Sequence, residues 1–310
     1  MPDSQELARF EAHFDAMGST YSVVLYGDRH DRMEQAASAA FQEVQRLDLL
    51  LSIYRPASAF SEINRLAAQR PVPAAPEVFK LISQCLQYSR QTQGAFDITI
   101  GPLMKAWGFF KGAGRLPGPD ELAAALAKTG YRHLHLDQSA GTVRFDTEGV
   151  EINPGGIGKG YAVDRIVDIL KSRGFHRALV MASSSSIYAL GAPPDEPRGW
   201  RIPIRHPQRP TRASATTVFL KDMSLSTSGG YAQTFRAGGR VFSHIMDPRT
   251  GYPAPGMLLV SVTAPRTIDS EAWTKPLFIH GRPWAAHNMP PGFKAFFCED
   301  APEQSWGWLP

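Results

Sequence analysis

Residues 153–164, with the sequence NPGGIGKGYAVD, carry the clearest structural signal in this chain. Four glycines surround Lys159, and the spacing of apolar residues after them predicts a helix over about 159–173. Glycine lets the backbone take positive φ and approach a ligand closely. The first turn of a helix presents free N–H groups and a partial positive charge. The stretch therefore favours a turn that holds a phosphate, with Lys159 as a mobile positive charge.

This turn alone does not identify a ligand. Its spacing differs from the Gly-x-Gly-x-x-Gly of dinucleotide-binding folds and from the Gly-x-x-x-x-Gly-Lys-Ser/Thr of ATP-binding loops. A tight strand-to-helix turn with a solvated lysine explains the same residues equally well. Both interpretations stay open at this level.

The 310-residue chain has the composition of an ordinary globular protein, with 43% hydrophobic residues, 20% charged residues and a formal net charge of +4. It has no dense run of lysine and arginine, so the sequence does not favour nucleic-acid binding. Its two cysteines, Cys85 and Cys298, form no Cys-x-x-Cys motif, and their apolar neighbours predict buried thiols. Residues 1–15 contain no signal-peptide core, and no stretch predicts a membrane span. We expect a cytoplasmic protein, with an exported form that has lost its leader as the alternative.

Apolar periodicity and turn residues predict both helices and strands. Helices are predicted at about 33–51, 76–93, 119–129 and 159–173. Strands are predicted at 21–26, 133–136, 142–146, 178–181, 217–220 and 258–263, and loops at 111–119, 191–210 and 247–256. Because strands and helices do not alternate regularly, the pattern favours an α+β fold of mixed sheets with packed helices. We expect a single domain over residues 1–310, or two closely packed subdomains.

Four further segments carry residue types that are unusual for ordinary loops: SIYRP at 52–56, GAFDITIGPL at 94–103 followed by WGF at 107–109, LSTSGGY at 225–231, and SHIMDPRTG at 243–251. Together with MGST at 17–20 and the glycine-rich turn, they have the order and spacing found in the ApbE family, the FAD:protein FMN transferases. The resemblance extends from residue 17 to residue 281 and covers nearly the whole chain. Because several pieces match in one order, chance does not explain the likeness.

The resemblance implies an ApbE-like, T-fold-like architecture with a site for FAD. It also implies that a threonine hydroxyl of an acceptor protein, a redox flavoprotein subunit, attacks the phosphorus on the FMN side of FAD. AMP is released, and the flavin is left on the acceptor through a phosphoester. This chemistry needs a base, positive charge at the pyrophosphate, and alignment of the nucleophile with the leaving group.

His244 is the predicted base, since the unperturbed pKa of histidine lies near neutrality; the alternative is that it only orients the turn of Asp247. The resemblance implies that FAD contacts a further set of residues: Met17, Tyr54, Asp97, Gly156, Lys159, Ser184, Thr227, Ser228 and Asp247. Met17 and Tyr54 suit a flat apolar ring, although core packing explains both as well. Asp97 suits an adenine or ribose contact or, equally, an anchor within its own loop. Asp247 also suits the role of a turn former.

The metal site is where this chain departs from the family. Relatives bind Mg²⁺ through an Asp or Glu side chain, a Thr four residues later and a backbone oxygen near the glycine-rich turn, here assigned to Gly158; such oxygen ligands suit this ion. Glu271 stands at the carboxylate position, but Lys275 replaces the threonine, and an ammonium has no lone pair to offer a metal. A shift by one residue would bring Thr274 to the ligand position on the same helix face.

Three outcomes are open for Lys275. Its side chain points to solvent beside a weaker Mg²⁺ site, its ammonium occupies the metal position next to Glu271, or transfer chemistry has been lost and flavin binding kept. The transferase has two rivals. One is the FAD-binding protein without transferase activity that the last outcome describes. The other is a metal-dependent FAD pyrophosphatase that releases AMP and free FMN.

The second departure is ASSSSI at residues 182–187, where many relatives carry Gly-Gly-Asp before the isoleucine. Serines keep hydrogen-bonding capacity, but they lack the carboxylate and the backbone freedom of glycine. A flavin contact from Ser184 would therefore be made by its hydroxyl.

Overall fold

The computed structural model describes residues 7–209, 211, 213–231 and 233–309, apart from the side chain of Gln304. Strands β1 to β15 are, in chain order, Ala8–Ala16, Ser19–Gly27, Val72–Pro73, Leu134–Asp137, Thr142–Phe145, Ala178–Ala182, Ser186–Leu190, Trp200–Arg205, Ser214–Leu220, Met223–Gly229, Thr234–Ala237, Arg240–Ser243, Met257–Ala264, Lys294–Glu299 and Gly307–Leu309. Helices α1 to α7 are His30–Leu51, Ala59–Leu66, Pro76–Gln91, Gly101–Ala106, Pro119–Leu126, Gly158–Ser172 and Thr267–Asn288. Short 3₁₀ turns lie at Tyr131–His133, Pro154–Gly156 and Glu303–Ser305.

Eight strands form one antiparallel sheet in the order β1-β2-β6-β7-β10-β13-β14-β15. Side chains alternate between the two faces of a strand, and both faces of the central strands are buried. Val23 and Val180 join the large core with helices α1, α6 and α7. Val24 and Leu179 pack on the other side, in a cluster to which the β8–β9 hairpin contributes Trp200. The sheet is therefore covered on both sides, which explains its apolar central strands.

A smaller cluster of aromatic and aliphatic side chains joins α4, α5, the β11–β12 hairpin and the segment that follows it. Its buried members include Leu103, Trp107, Phe109, Leu122 and Met246. The indole N–H of Trp107 donates to the Gly251 carbonyl, 2.8 Å away. This bond joins two segments that are far apart in sequence, and the Trp107 side chain is fully buried.

Helix α7 contains two prolines, Pro276 and Pro283, and it bends at Gly281, whose φ of 74° is not helical. Because proline removes a backbone donor and glycine favours non-helical conformations, the sequence does not predict one continuous helix here. The first part of α7 is nevertheless regular, and it packs against α6 and β10. Among the described residues, no helix combines the length and the apolar character that a membrane crossing requires.

The predicted α+β class is confirmed, and the predicted helices agree with α1, α3, α5 and α6 to within a few residues. One loop prediction is wrong, because part of the predicted loop 191–210 is strand β8. Strand β10, which contains the start of the segment 225–231, was not predicted. Strand β10 reads MSLSTSG, and its hydroxyl residues Ser224 and Ser226 are buried. Its small polar side chains conceal the strand because Ser224 donates to the Ala264 carbonyl of β13 and Ser226 bonds to Ser270 of α7, instead of facing water.

Candidate functional site

A cavity of about 650 Å³ lies where the N-terminal end of α6, helix α7, strand β10 and the segment around His244 meet. Its volume is in the range that holds an organic ligand. Residues of the predicted site that line it are Tyr54, Asp97, Gly156, Lys159, Thr227, Ser228, His244, Glu271 and Lys275. An open groove adjoins the cavity, shares Ser19, Tyr54 and Ser183 with it, and is lined in addition by Met17. The structure thus brings most of the predicted residues to one place.

One end of the cavity is formed by Gly156, Lys159, Glu271 and Lys275, which we call the lysine corner. The ammonium of Lys275 donates to the carbonyl of Gly156 at 2.9 Å and to the carbonyl of Glu271 at 2.8 Å. The buried Glu271 carboxylate accepts the backbone N–H of Gly160, and its Oε1 lies 3.3 Å from Lys159 Nζ. Two positive charges and one negative charge therefore meet at the first turn of α6.

Burial lowers the pKa of Lys275 to about 8; the negative charge of Glu271 opposes this shift, and the positive charge of Lys159 adds to it. Since this pKa stays above 7, most of the Lys275 side chains are protonated at neutral pH. The lysine corner therefore carries a net positive charge of one, which suits an anionic ligand group.

Close packing of α6 against α7 makes the lysine corner possible. A Cβ atom on Gly160 would lie 2.6 Å from the Thr267 carbonyl oxygen and 2.7 Å from the Glu271 carboxylate. Only glycine fits this contact. The buried Asp164 carboxylate accepts the N–H groups of Thr267 at 2.7 Å and Ile268 at 3.0 Å, and so caps the start of α7 from α6. Burial raises the pKa of Asp164 to about 6, against the effect of these hydrogen bonds.

The oxygen atoms around Lys275 do not fit a Mg²⁺ ion. The Glu271 carboxylate is already bonded, and the Thr274 hydroxyl donates to the Glu271 carbonyl at 2.7 Å while it accepts from Ser228 at 2.8 Å. The turn oxygen at this point belongs to Gly156 and accepts a hydrogen bond from the Lys275 ammonium. The assignment of the ligand oxygen to Gly158 stays a prediction. Over the described ranges, no group of three or more His, Cys, Asp or Glu side chains suits a metal. Of the three outcomes for Lys275, the geometry agrees with the second, in which the ammonium occupies the metal position next to Glu271.

His244 lines the cavity with one ring nitrogen engaged. Nδ1 lies 3.3 Å from the Gln233 carbonyl, which only accepts, so this nitrogen carries the proton. In the neutral ring Nε2 then has a free lone pair. Burial lowers the pKa of His244; the Gln233 carbonyl opposes the shift, and the charges of Lys275 and Lys159 add to it. His244 is therefore neutral at pH 7 and able to accept a proton.

The two aspartates of the predicted site act within their own loops. Asp97 lines the cavity, but its carboxylate accepts the N–H of Thr99 at 2.8 Å, the Thr99 hydroxyl at 2.7 Å and the N–H of Tyr131. Burial raises the pKa of Asp97 to about 6. Asp247 lies outside the cavity lining, and Arg249 binds both its oxygens. The structure thus gives both side chains the anchoring role that the sequence left open.

The sequence predicts a flavin contact from Ser184, but the other serines of residues 183–186 face the cavity. Ser184 is exposed and lies outside the lining, whereas Ser183, Ser185 and Ser186 line the cavity. Ser186 is 1% exposed, and its hydroxyl has no hydrogen-bond partner among the described residues. A buried hydroxyl without a partner is costly, so this group suits a ligand atom. Sequence reasoning missed Ser186 because four consecutive serines do not reveal which of them face inward.

An aromatic group borders the cavity where it meets the open groove, and we call it the aromatic rim. Tyr54 is 54% exposed and stacks on Phe110 with ring centres 5.0 Å apart. The ammonium of Lys111 lies 5.2 Å from the Tyr54 ring centre. Met17 lies in the turn between β1 and β2 with a φ of 51°, and its sulfur accepts the Tyr21 hydroxyl at 3.4 Å. Tyr54 is thus accessible, whereas Met17 is half-buried, packing against the large core while it lines the groove.

Known proteins resemble this chain in sequence and in fold. The model of the ApbE family matches residues 17–297. An FAD:protein FMN transferase from Klebsiella pneumoniae is 32% identical over 263 residues, which span 84% of this chain and 79% of that protein. The flavinyl transferase ApbE of Pseudomonas stutzeri, solved in its apo form, is 30% identical with a TM-score of 0.83, over 99% of this chain and 95% of that chain. The ApbE protein of Thermotoga maritima is 27% identical with a TM-score of 0.86, over 97% and 96%.

The chain therefore belongs to the ApbE family. This confirms the resemblance read from the motifs and the ApbE-like architecture. Relatives that the chain matches are transferases by name, in agreement with the prediction of an enzyme of that class.

Proposed function

We propose that this protein binds FAD in the cavity and transfers the FMN part to a threonine hydroxyl of an acceptor protein, with release of AMP. The names of the relatives support the substrate and the class of reaction. The observation that carries the proposal is the position of His244, which faces the same cavity as two lysine ammonium groups. A base and a cationic site for phosphates are what phosphoryl-type transfer needs from a protein.

In the proposed complex the pyrophosphate lies at the lysine corner, against Lys159, Lys275 and the first turn of α6. The unpaired hydroxyl of Ser186 donates to the ligand. The isoalloxazine ring extends toward the aromatic rim, where Tyr54 offers an exposed face for stacking. Thr227 and Ser228 line the cavity from β10 and present hydroxyl groups to the ribose or phosphate oxygens.

In the transfer step the threonine oxygen forms a bond to the phosphorus on the FMN side, and the bond from that phosphorus to the bridging oxygen breaks. The hydroxyl proton passes to Nε2 of His244. AMP leaves with the bridging oxygen, and Lys159 and Lys275 stabilise the negative charge that develops there. No residue of the protein forms a covalent intermediate in this scheme.

The test is mass spectrometry of an acceptor protein that bears the target threonine, incubated with the protein and FAD, while AMP is followed in parallel. A mass gain equal to FMN together with AMP release supports the transferase. AMP release without acceptor indicates the pyrophosphatase, and bound but intact FAD indicates a flavin-binding protein without transfer.

His244→Ala separates a base from a positioning residue. The transferase mechanism predicts that this variant keeps its affinity for FAD and loses transfer by a factor of about 10²–10⁴, the usual contribution of a general base. Loss of FAD binding would instead give His244 a role in holding the ligand. His13→Ala, on the partly exposed β1 strand, is the matched control and should leave both properties unchanged.

A further inference from the structure

We propose that the ammonium of Lys275 replaces the divalent metal ion of this site, so that the protein binds FAD and transfers FMN without Mg²⁺. The inference rests on the proposed function for the identity of the ligand. Its basis is the donor set around Lys275, which is complete without a metal.

The Lys275 nitrogen lies between two backbone oxygens that are far apart in sequence. It donates to Gly156 at 2.9 Å, across 119 positions of the chain, and to Glu271 at 2.8 Å on its own helix. The Lys275 ammonium is thus a cation held by a carbonyl of the glycine-rich turn and by the helix that carries Glu271. The resemblance to the ApbE family assigns the same surroundings to the Mg²⁺ ion. An ammonium has three N–H groups. Two are used here, and the third remains for a ligand in the cavity that Lys275 lines.

The neighbouring oxygens already take part in hydrogen bonds or in an ion pair. Glu271 Oε2 accepts the Gly160 N–H, and Oε1 pairs with Lys159 at 3.3 Å. The hydroxyls of Thr274 and Ser228 bond to each other at 2.8 Å. A divalent cation would have to break these bonds and approach an ammonium of like charge, and that repulsion is strong in a partly buried site.

With Lys275 in place of a metal ion, the positive charge of the site does not depend on an ion taken up from solution. A bound ion can dissociate, whereas Lys275 is covalently part of α7 and always present. With Lys159 it places two positive charges against the two phosphates of FAD, and Glu271 holds Lys159 in place. FAD affinity should therefore be insensitive to chelators and to added Mg²⁺.

The test compares FAD affinity and FMN transfer in EDTA with the same properties in millimolar Mg²⁺. For the unchanged protein we expect FAD dissociation constants that agree within twofold. Lys275→Thr should bind FAD at least tenfold more weakly in EDTA and recover when Mg²⁺ is added. Lys275→Met keeps the length without charge, and should show the same loss without recovery. Lys294→Met, on the exposed start of β14, is the control and should change nothing.

A second measurement uses Mn²⁺ alone, followed by electron paramagnetic resonance in the absence of FAD. The unchanged protein should bind no Mn²⁺ at this site, while Lys275→Thr should bind one ion that is lost in the double variant Lys275→Thr/Glu271→Gln. Circular dichroism checks that each variant is folded.

Three results would overturn the inference: FAD binding or FMN transfer by the unchanged protein that is lost in EDTA and restored by Mg²⁺, Mn²⁺ binding by the unchanged protein that Glu271→Gln removes, or Lys275→Met with undiminished FAD affinity. If the proposed function is wrong, the experiments give a different result. In that case FAD would not bind, or FMN would not be transferred, in any buffer, whereas the Mn²⁺ results would still report on Lys275.

Discussion

The lysine corner and the aromatic rim border the same cavity, but they are built in opposite ways. In the lysine corner Lys275 and Glu271 are bonded to backbone groups on two helices, and Gly160 permits no larger side chain. At the rim, Tyr54 and Phe110 stack on each other with one ring largely exposed, and the nearby Lys111 is exposed as well.

This difference separates two requirements of the site. Charge at the phosphates needs a rigid, partly buried support, because a buried charge without a partner is costly. A flat ring needs only an accessible aromatic surface. Substitutions that push α6 away from α7 behind the lysine corner should therefore affect the folded state first, and variants of the rim should affect ligand affinity alone.

The sharpest test of this contrast uses one substitution at two glycines of the same turn. Gly160→Ala would place a Cβ atom against the Thr267 carbonyl and Glu271, and should destabilise the protein by about 3 kcal/mol, the upper end for overpacking. Gly156→Ala meets its nearest atoms at 3.5 Å and 3.6 Å, which is ordinary contact. Urea denaturation should show a large shift for the first and a small one for the second. Equal shifts would mean that α6 and α7 are not tightly packed.

A smaller loss of stability is expected when a side chain that lies outside the cavity and supports the lysine corner is removed. Asp164→Ala leaves the N–H groups of Thr267 and Ile268 without their cap and should cost about 1–2 kcal/mol. It should also weaken FAD binding, because α7 carries Lys275. The control is Asp31→Ala, which removes an exposed aspartate that contacts Arg29 in the first turn of α1. A denaturation midpoint equal to that of the control would contradict this role of Asp164.

At the rim the expected effect is on affinity. Tyr54→Ala should leave the denaturation midpoint nearly unchanged because the side chain is 54% exposed. It should weaken FAD binding by about 2- to 12-fold, since aromatic stacking contributes about 0.5–1.5 kcal/mol. Tyr54→Phe keeps the ring and should bind FAD normally. A titration of flavin fluorescence measures the FAD affinity of both variants. An unchanged affinity for Tyr54→Ala would mean that the isoalloxazine ring lies elsewhere.

The smallest effect concerns pH. A base accepts a proton only in its neutral form, so the rate of transfer should fall as pH decreases through the pKa of His244. Burial lowers that pKa below the usual 6.5, and the acid limb should therefore lie below pH 6.5, with little change between 6.5 and 7.5. A rate profile at saturating FAD and acceptor measures the limb. A limb above pH 7 would show that a different group acts as the base.

Local patterns predicted helices α1, α3, α5 and α6 because apolar spacing records which face of a helix is buried, but they missed α2 and α4. They failed at β10, where Ser224 and Ser226 look like loop residues but bond within the interior. They also failed at α7, where Pro276 and Pro283 argue against a helix that the packing nevertheless holds. In both places tertiary contacts outweigh the local preference of the residues.

The sequence by itself determined the ApbE family, the α+β class, the glycine-rich turn and the substitution of a lysine for the usual threonine at position 275. Each of these depends on residue identity or on spacing along the chain. Only the tertiary structure decided that the Lys275 nitrogen binds the Gly156 carbonyl, that Ser186 and not Ser184 faces the cavity, and that Asp247 lies outside the lining. The physical reason is that a polar group takes its partner from whatever the fold brings within hydrogen-bonding distance, and at Lys275 that partner is 119 residues away.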